Sequence, residues 1–212
     1  MDIVFLCNPN NQTGVLTGRQ TVKKIADRCM KAGAILVVDE CFMDFVRDGE
    51  SDYSAKPLLS EYDNIIIVRA FTKIFAMAGV RLGYCLTYNP QITSKIESCG
   101  QPWSVSIFVQ ASGSAACGEK PFVLKTQAYV EKERDYLKAA FSEFGFHLCY
   151  SRANYILFQT EGVFNLKEIL LRKGLLIRSC ANYEGLDGSY YRIAVRTHEE
   201  NQKLVAAMEV LF

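Results

Sequence analysis

The sequence has few histidines, no close cysteine pair and no long apolar segment. Its two histidines, His147 and His198, offer little for a histidine-based catalytic triad or metal cluster. Its eight cysteines form no C-x-x-C pair, which argues against a zinc site or a disulfide framework and favours reduced thiols. No apolar segment approaches the roughly 20 residues that span a bilayer, so we expect no membrane partner.

The chain also has no excess of positive or negative charge. The 24 basic and 23 acidic side chains among 212 residues leave a net charge of +1, which offers no basic surface for a nucleic acid. Hydrophobic residues make up 50% of the chain and charged residues 22%, as is typical of a globular protein. The start, Met1–Ile3, is acidic where a secretory signal is basic, so we predict a cytoplasmic protein.

Short apolar segments alternate with helical patterns over the first half of the chain. Thr17, with Gln20 three positions later, predicts a capping box at the start of a helix, and Gly33 predicts the end of that helix. Strands and helices in this alternation predict a mainly parallel α/β sheet. The predicted strands cover residues 3–7, 34–38, 64–69 and 82–87.

Polar residues follow shortly after three of these strands. In a parallel sheet, residues just beyond the carboxyl ends of the strands line the ligand crevice. We therefore expect these residues to form a site. They are Asn8–Gly14, Asp39–Glu40 and Thr72–Lys73.

The second half has a different character. A long helical pattern begins near Pro121 and ends near Gly145, and a final helix is predicted over residues 199–211. This mixture predicts a smaller α+β domain, so we divide the chain into residues 1–119 and 120–212. The other predicted elements are a helix over residues 166–171 and strands over residues 155–158, 175–177 and 190–195.

Two other residues of the chain, Asp39 and Arg81, suggest a chemical role for Lys73. A lysine just past a strand is by itself more often a solvated charge than a catalytic group. Here Arg81 lies eight residues further on, and Asp39 ends the preceding strand. Together the three residues offer an amine for a Schiff base, a carboxylate for a pyridinium nitrogen and a guanidinium for a phosphate.

Four motifs occur in order along the chain: Asn8–Gly14, Asp39–Phe45, Thr72–Tyr84 and Tyr191–Ile193. In this order they resemble the fold-type I enzymes that use pyridoxal 5'-phosphate (PLP). The relevant branch holds histidinol-phosphate aminotransferases and threonine-phosphate decarboxylases. The resemblance implies an α/β, PLP-dependent transferase-like fold, here with a truncated, mainly parallel large-domain sheet and a C-terminal α+β small domain.

The resemblance also implies roles for individual residues. Lys73 would carry the covalent link to PLP, and Asp39 would pair with the ring nitrogen; these are the expected catalytic residues. Asn11 would bond the ring hydroxyl, and Phe42 stands where the aminotransferases usually carry a tyrosine. The remaining cofactor-binding residues, for the phosphate, are Thr72 and Arg81.

Several segments resemble the decarboxylase branch more closely. That resemblance implies decarboxylation of L-threonine O-3-phosphate to (R)-1-amino-2-propanol O-2-phosphate in cobalamin biosynthesis. The expected substrate is thus a small phosphorylated amino acid. Arg192 would take its carboxylate, Arg178 or Arg196 would lie near its phosphate, and Asn154 is a further candidate substrate-binding residue. The segments are Pro102–Val105, Arg152–Tyr155, Ile177–Asp187 and Tyr190–Arg196.

Three departures from the family pattern leave alternatives open. Gln12 replaces a usual proline, and Ala70 stands where relatives carry a hydroxyl toward the cofactor phosphate. The chain also begins at the strand before the asparagine motif, so the family's N-terminal portion is absent. A histidinol-phosphate-type aminotransferase and a non-catalytic remnant of the fold are therefore the alternatives. Relatives build their sites across a homodimer, so we expect a homodimer here.

Overall fold

The computed structural model describes residues 2–162 and 165–212, which form two compact units. The first unit runs to Gln127, except that Gln12–Val15 belong to the second unit together with Ala128–Phe212. The family domain boundary that we place at residue 119 stays a prediction. Among the described residues, no helix combines the length and the apolar composition that crossing a membrane requires.

Each unit contains a four-stranded sheet. The strands are β1 (Ile3–Cys7), β2 (Ile35–Asp39), β3 (Ile65–Ala70), β4 (Gly83–Leu86), β5 (His147–Leu148), β6 (Tyr155–Gln159), β7 (Arg178–Ser179) and β8 (Tyr190–Ala194). The α-helices are α1 (Arg19–Lys31), α2 (Gly49–Asp52), α3 (Pro90–Cys99), α4 (Ile107–Cys117), α5 (Lys120–Glu143), α6 (Leu166–Arg172) and α7 (His198–Glu209).

The sheet of the first unit is mainly parallel, as the sequence predicts. β1, β2 and β3 run parallel side by side, and β4 pairs antiparallel with β3. These strands are rich in isoleucine and valine, which pack well on a buried sheet face. One face is covered by α1 and by the segment after α2. Its fully buried residues include Val22, Ala26, Leu36, Val38, Ile65 and Ile67.

The predicted capping box at Thr17 and Gln20 is wrong. α1 begins at Arg19, after Gly18, and the carbonyl oxygen of Gly18 accepts the first helical bond, from the amide of Val22. The amide of Thr17 donates to Asn8 Oδ1 at 2.8 Å. Thr17 therefore belongs to the turn that closes on Asn8, and the helix begins only after that turn.

The sheet of the second unit is antiparallel, with the strand order β5-β6-β8-β7. Its core is rich in aromatic rings: the centroid of Phe158 lies 4.8 Å from that of Phe141 and 5.3 Å from that of Phe146. Such ring pairs add to the free energy gained from burial alone. Helices α5, α6 and α7 supply the other buried residues, including Leu137, Leu166, Leu170, Leu204 and Met208.

The strand predicted over residues 175–177 is wrong, because the pairing segment is Arg178–Ser179. The amide of Leu175 instead donates to Leu170 O at 2.9 Å, and Gly174 adopts a φ of 78°. Gly174 and Leu175 thus end α6 with a left-handed glycine, and the chain becomes extended only after them.

No apolar periodicity predicts α3, but its start is encoded. The side chain of Asn89 accepts from the amides of Gln91 and Ile92, at 2.9 and 3.3 Å, and Pro90 takes the first helical position. Asparagine followed by proline is a recognised helix start. By contrast, α4 is built largely from small residues with little amphipathic pattern, so it was not predictable from periodicity.

Candidate functional site

In the first unit, the carboxyl ends of the parallel strands lie next to one another. The amide of Asn8 donates to Asp39 O, and the amide of Glu40 donates to Val68 O, each at 2.9 Å. These bonds continue the β1–β2 and β2–β3 ladders by one step beyond the strands. The polar residues that follow the strands are therefore brought to one edge, as a parallel sheet requires.

Asn8 organises the turn after β1. Its fully buried side chain donates from Nδ2 to Thr17 O at 2.9 Å and to Tyr53 O at 3.3 Å. The peptide between Asn8 and Pro9 is cis. Asn11, the predicted partner of the ring hydroxyl, follows in this turn and is exposed. The structural role of Asn8 was missed, although an asparagine directly after an apolar strand was visible in the sequence.

Asp39 ends β2 and is half-buried. Its Oδ1 accepts from the amide of Cys41 at 3.0 Å, and Cys7 Sγ lies 3.8 Å from Oδ2. Burial first, and then the Asp39 carboxylate, raises the pKa of Cys41 to about 12 and also raises that of Cys7. Both thiols therefore stay protonated at neutral pH, which makes them poor nucleophiles.

Lys73 is brought close to the segment that begins at Asp39. Its exposed ammonium lies 5.6 Å from the centre of the Phe42 ring, within the range of a cation–π contact. Its charge also opposes the rise in the pKa of Cys41. The structure thus assembles an accessible amine, an aromatic ring and a half-buried carboxylate at the strand ends.

The two residues predicted to bind the cofactor phosphate, Thr72 and Arg81, lie on the segment around Lys73. Thr72 is half-buried and immediately precedes Lys73. Arg81 is exposed, adopts a left-handed φ of 58°, and donates from Nη1 to Ala78 O at 3.1 Å within its own turn. The guanidinium is therefore accessible, and the one hydrogen bond described for it is local to its own turn.

In the second unit, two arginines face each other across β7 and β8. Arg178 is the register partner of Arg192, so the two side chains project from the same side of the sheet. The guanidinium of Arg192 lies 4.9 Å from the ring centre of Tyr155, and that of Arg178 lies 5.6 Å from the ring centre of Tyr183. Like charges directly opposite each other repel, and an anion bound beside them reduces that repulsion. The pair suits a doubly anionic ligand.

The other two predicted substrate residues differ in their surroundings. Arg196 is exposed and pairs with Glu200, with 2.6 Å between Nη2 and Oε1. Its charge is therefore already matched by a neighbour. Asn154 Oδ1, in contrast, is buried with no hydrogen-bond donor among the described residues. A buried acceptor of this kind suits an ammonium or hydroxyl donor on a ligand.

The residues fit a cofactor with an aldehyde, a protonated ring nitrogen and a phosphate. An amine, a carboxylate and a guanidinium are the matching groups, and all three lie in the first unit. Arg69 also lies here and was missed as a site residue, whereas Glu40 belongs to the predicted crevice segment Asp39–Glu40. The one available signal was a charged residue inside the otherwise apolar strand β3.

Comparison with known proteins agrees with this chemistry. Residues 1–208 match the family described as aminotransferase class I and II. The threonine-phosphate decarboxylase of Salmonella typhimurium is 35% identical over 210 residues, which are 98% of this chain and 57% of that protein. A histidinol-phosphate aminotransferase of Symbiobacterium thermophilum is 33% identical over 208 residues, covering 98% of this chain and 56% of that protein.

A solved structure is similar over the same range. The histidinol-phosphate aminotransferase from Clostridium acetobutylicum matches 100% of this chain and 64% of its own, with a TM-score of 0.94 and 28% identity. This chain therefore spans less than two thirds of the length of each of the three relatives.

Proposed function

Because this chain belongs to the aminotransferase class I and II family, we propose that it forms a PLP site around Lys73. PLP is the cofactor of this family. The observation that carries the proposal is the position of the Lys73 ammonium, 5.6 Å from the Phe42 ring, on the segment that begins at Asp39. Asn11, Thr72 and Arg81 complete the proposed set of cofactor-binding residues.

The proposed reaction is decarboxylation of L-threonine O-3-phosphate. When bound, PLP supplies an electron sink for the two electrons that remain on Cα as CO₂ leaves. Asp39 would hold a proton on the ring nitrogen, because a carboxylate favours a neighbouring cation. Lys73 would hold the cofactor before the substrate arrives, and its Nζ would then keep a proton close to Cα.

The second unit offers the groups that a doubly anionic substrate needs. We assign the carboxylate to Arg192 and the phosphate to Arg178, its register partner. Arginine suits both anions because its planar fork donates two parallel hydrogen bonds. Arg196 remains the second candidate for the phosphate, although Glu200 already engages it. Asn154 would accept a hydrogen bond from the substrate through its buried Oδ1.

A histidinol-phosphate aminotransferase is the second candidate. Relatives of both kinds have similar identities to this chain, 35% and 33%. Phe42 favours the decarboxylase, because it cannot donate a hydrogen bond to the ring hydroxyl as a tyrosine can. An assay with L-threonine O-3-phosphate distinguishes the two: CO₂ release supports the decarboxylase, whereas formation of pyridoxamine phosphate without CO₂ supports the aminotransferase.

The site itself is tested by adding PLP to the purified chain, reducing with borohydride and mapping the modified lysine by mass spectrometry. We expect the adduct on Lys73 and an absorbance band of the cofactor–lysine adduct before reduction. Lys73→Ala should abolish both signals. The matched control is Lys24→Ala, which removes an exposed lysine of α1 and should leave both unchanged. An adduct spread over surface lysines would support the non-catalytic alternative instead.

We further propose that the protein acts in the cytoplasm as a homodimer. The dimer is supported by the resemblance to a family whose sites are built across two copies. The cytoplasm is supported by the scattered, unpaired cysteines of this chain. Sedimentation equilibrium in the presence of PLP tests the dimer.

A further inference from the structure

Arg69 is a buried cation in β3. Its side chain is 1% exposed, and it lies in a strand whose other residues are apolar. Its guanidinium donates to Glu40 Oε2 through Nε at 3.1 Å and through Nη2 at 2.5 Å. Glu40 is 0% exposed. Because a buried charge that loses its partner is strongly destabilising, this pair must stay together in the folded chain.

The Glu40 carboxylate has partners on a third segment as well. Its Oε1 accepts from the amide of Ala55 at 2.6 Å, and its Oε2 accepts from Ser54 Oγ at 2.9 Å. Both oxygens are thus satisfied by defined donors. The carboxylate has one orientation that meets all of these donors, so it is held rigidly.

The guanidinium of Arg69 also contacts two further carboxylates. Its Nη1 donates to Asp44 Oδ1 at 3.1 Å and forms an ion pair with Glu50. Burial raises the pKa of Asp44, and burial alone would lower that of Arg69. Glu40, Glu50 and Asp44 outweigh burial and raise the pKa of Arg69 above its usual value, so Arg69 stays charged.

These groups adjoin the proposed cofactor residues. Glu40 directly follows Asp39, and Arg69 precedes Lys73 by four residues. The two strand ends share one backbone bond, from the amide of Glu40 to Val68 O. The side-chain pair is a further link across the same junction, in addition to the parallel β2–β3 ladder.

We infer that Arg69 and Glu40 are positioning residues that set the placement of Lys73 relative to Asp39. The inference rests on the proposed function, which assigns cofactor roles to Lys73 and Asp39. Arg69 acts through β3 and the turn after it, whereas Glu40 acts through the peptide that it shares with Asp39. Neither side chain is among the residues proposed to bind the cofactor.

The test uses the full chain with three variants, Glu40→Gln, Arg69→Lys and Arg69→Met. Glu61→Gln is the matched control, because it removes an acid from an exposed ion pair with Lys23 in the same unit. The first readout is the acetylation rate of Lys73 as a function of pH, without cofactor, against Lys24 as internal standard. The second is PLP capture at Lys73 after borohydride reduction. Circular dichroism reports whether each variant is folded.

We expect Glu40→Gln and Arg69→Met to alter the pH profile of Lys73 acetylation and to lower PLP capture at Lys73 about tenfold, since small displacements of reacting groups are costly. Arg69→Lys keeps the charge but loses the fork, so it should restore part of both signals. Glu61→Gln should change neither. Acetylation of Lys24 should be the same in all variants.

The inference is overturned if folded Glu40→Gln and Arg69→Lys keep the wild-type profile and PLP capture, because the pair would then serve stability alone. If Arg69→Met does not fold, the other two variants still decide. If the wild-type chain captures no PLP at Lys73, the proposed function fails, and the acetylation profile then decides the positioning role without it.

Discussion

A single side-chain amide, that of Asn8, defines the turn on which the candidate site begins. It bonds both backbone groups of Thr17 and also reaches Tyr53 O. Thr17 has the sequence spacing of a helix cap, but its backbone is bonded to Asn8 instead. A distant buried donor and acceptor outcompeted that local preference, which is the usual outcome when a burial requirement conflicts with a propensity.

Asn8→Ala should therefore destabilise the first unit by about 1–3 kcal/mol, because it leaves buried backbone groups without partners. Urea unfolding followed by circular dichroism measures this as a lower midpoint. The control is Gln20→Ala on the exposed side of α1, which should change the free energy of unfolding by no more than about 0.5 kcal/mol. Equal midpoints for both variants would contradict the role given to Asn8.

At the scale of elements, α7 carries the helix start that α1 lacks. Thr197 Oγ1 accepts from the amide of Glu200, and the Glu200 carboxylate accepts from the amide of Thr197, so the capping box is complete. The spacing Thr-x-x-Glu is visible in the sequence at this point. Here the amide of Thr197 donates to Glu200 Oε2 at 3.2 Å, so the spacing yields a complete box.

Thr197→Ala should cost about 1 kcal/mol of stability, as the loss of an N-cap usually does.

Hydrogen bonds from Arg196 and then Thr197 lower the pKa of Glu200 from 4.5 to about 2. An acid whose pKa is lower in the folded state than in the unfolded state stabilises the fold above its unfolded pKa. For Glu200 that contribution is lost as the pH falls from 4.5 to about 2. Glu200→Gln should therefore flatten this part of the stability–pH curve; an unchanged slope would refute the effect.

The two faces of the first sheet also differ. Leu36 is 0% exposed on the face covered by α1, whereas Phe5 is 74% exposed on the opposite face. Leu36→Ala should cost about 2–5 kcal/mol, because it leaves a cavity. Phe5→Ala should cost no more than about 0.5 kcal/mol. Thermal unfolding of the two variants tests the contrast, and similar losses would show that the second face is covered.

At the scale of the whole molecule, the predicted fold is confirmed: the chain is an α/β member of the PLP-dependent, fold-type I group. Its mainly parallel sheet leaves the apolar residues Ile3 and Phe5 of the edge strand β1 exposed. Parallel sheets in proteins are normally covered on both faces. Exposed apolar sheet surface of this kind promotes association between chains.

Phe5→Lys should therefore reduce self-association of this chain at high concentration without unfolding it. Sedimentation velocity over a concentration series measures the change. The control is Val210→Lys, which places the same charge at a 76% exposed apolar position of the second unit. If both variants reduce association equally, net charge rather than the sheet face is responsible.

The sequence by itself determined the strands other than β5 and β7, the helices α1, α5, α6 and α7, and the family, because apolar periodicity and ordered motifs are local properties of the chain. It also indicated Asp39, Lys73 and Arg192, since each stands at a motif position. Only the tertiary structure decided which charges meet. Arg69 pairs with Glu40 across 29 positions, and Arg178 faces Arg192 across a sheet. Many charged residues are available to each, and strand register brings these partners together.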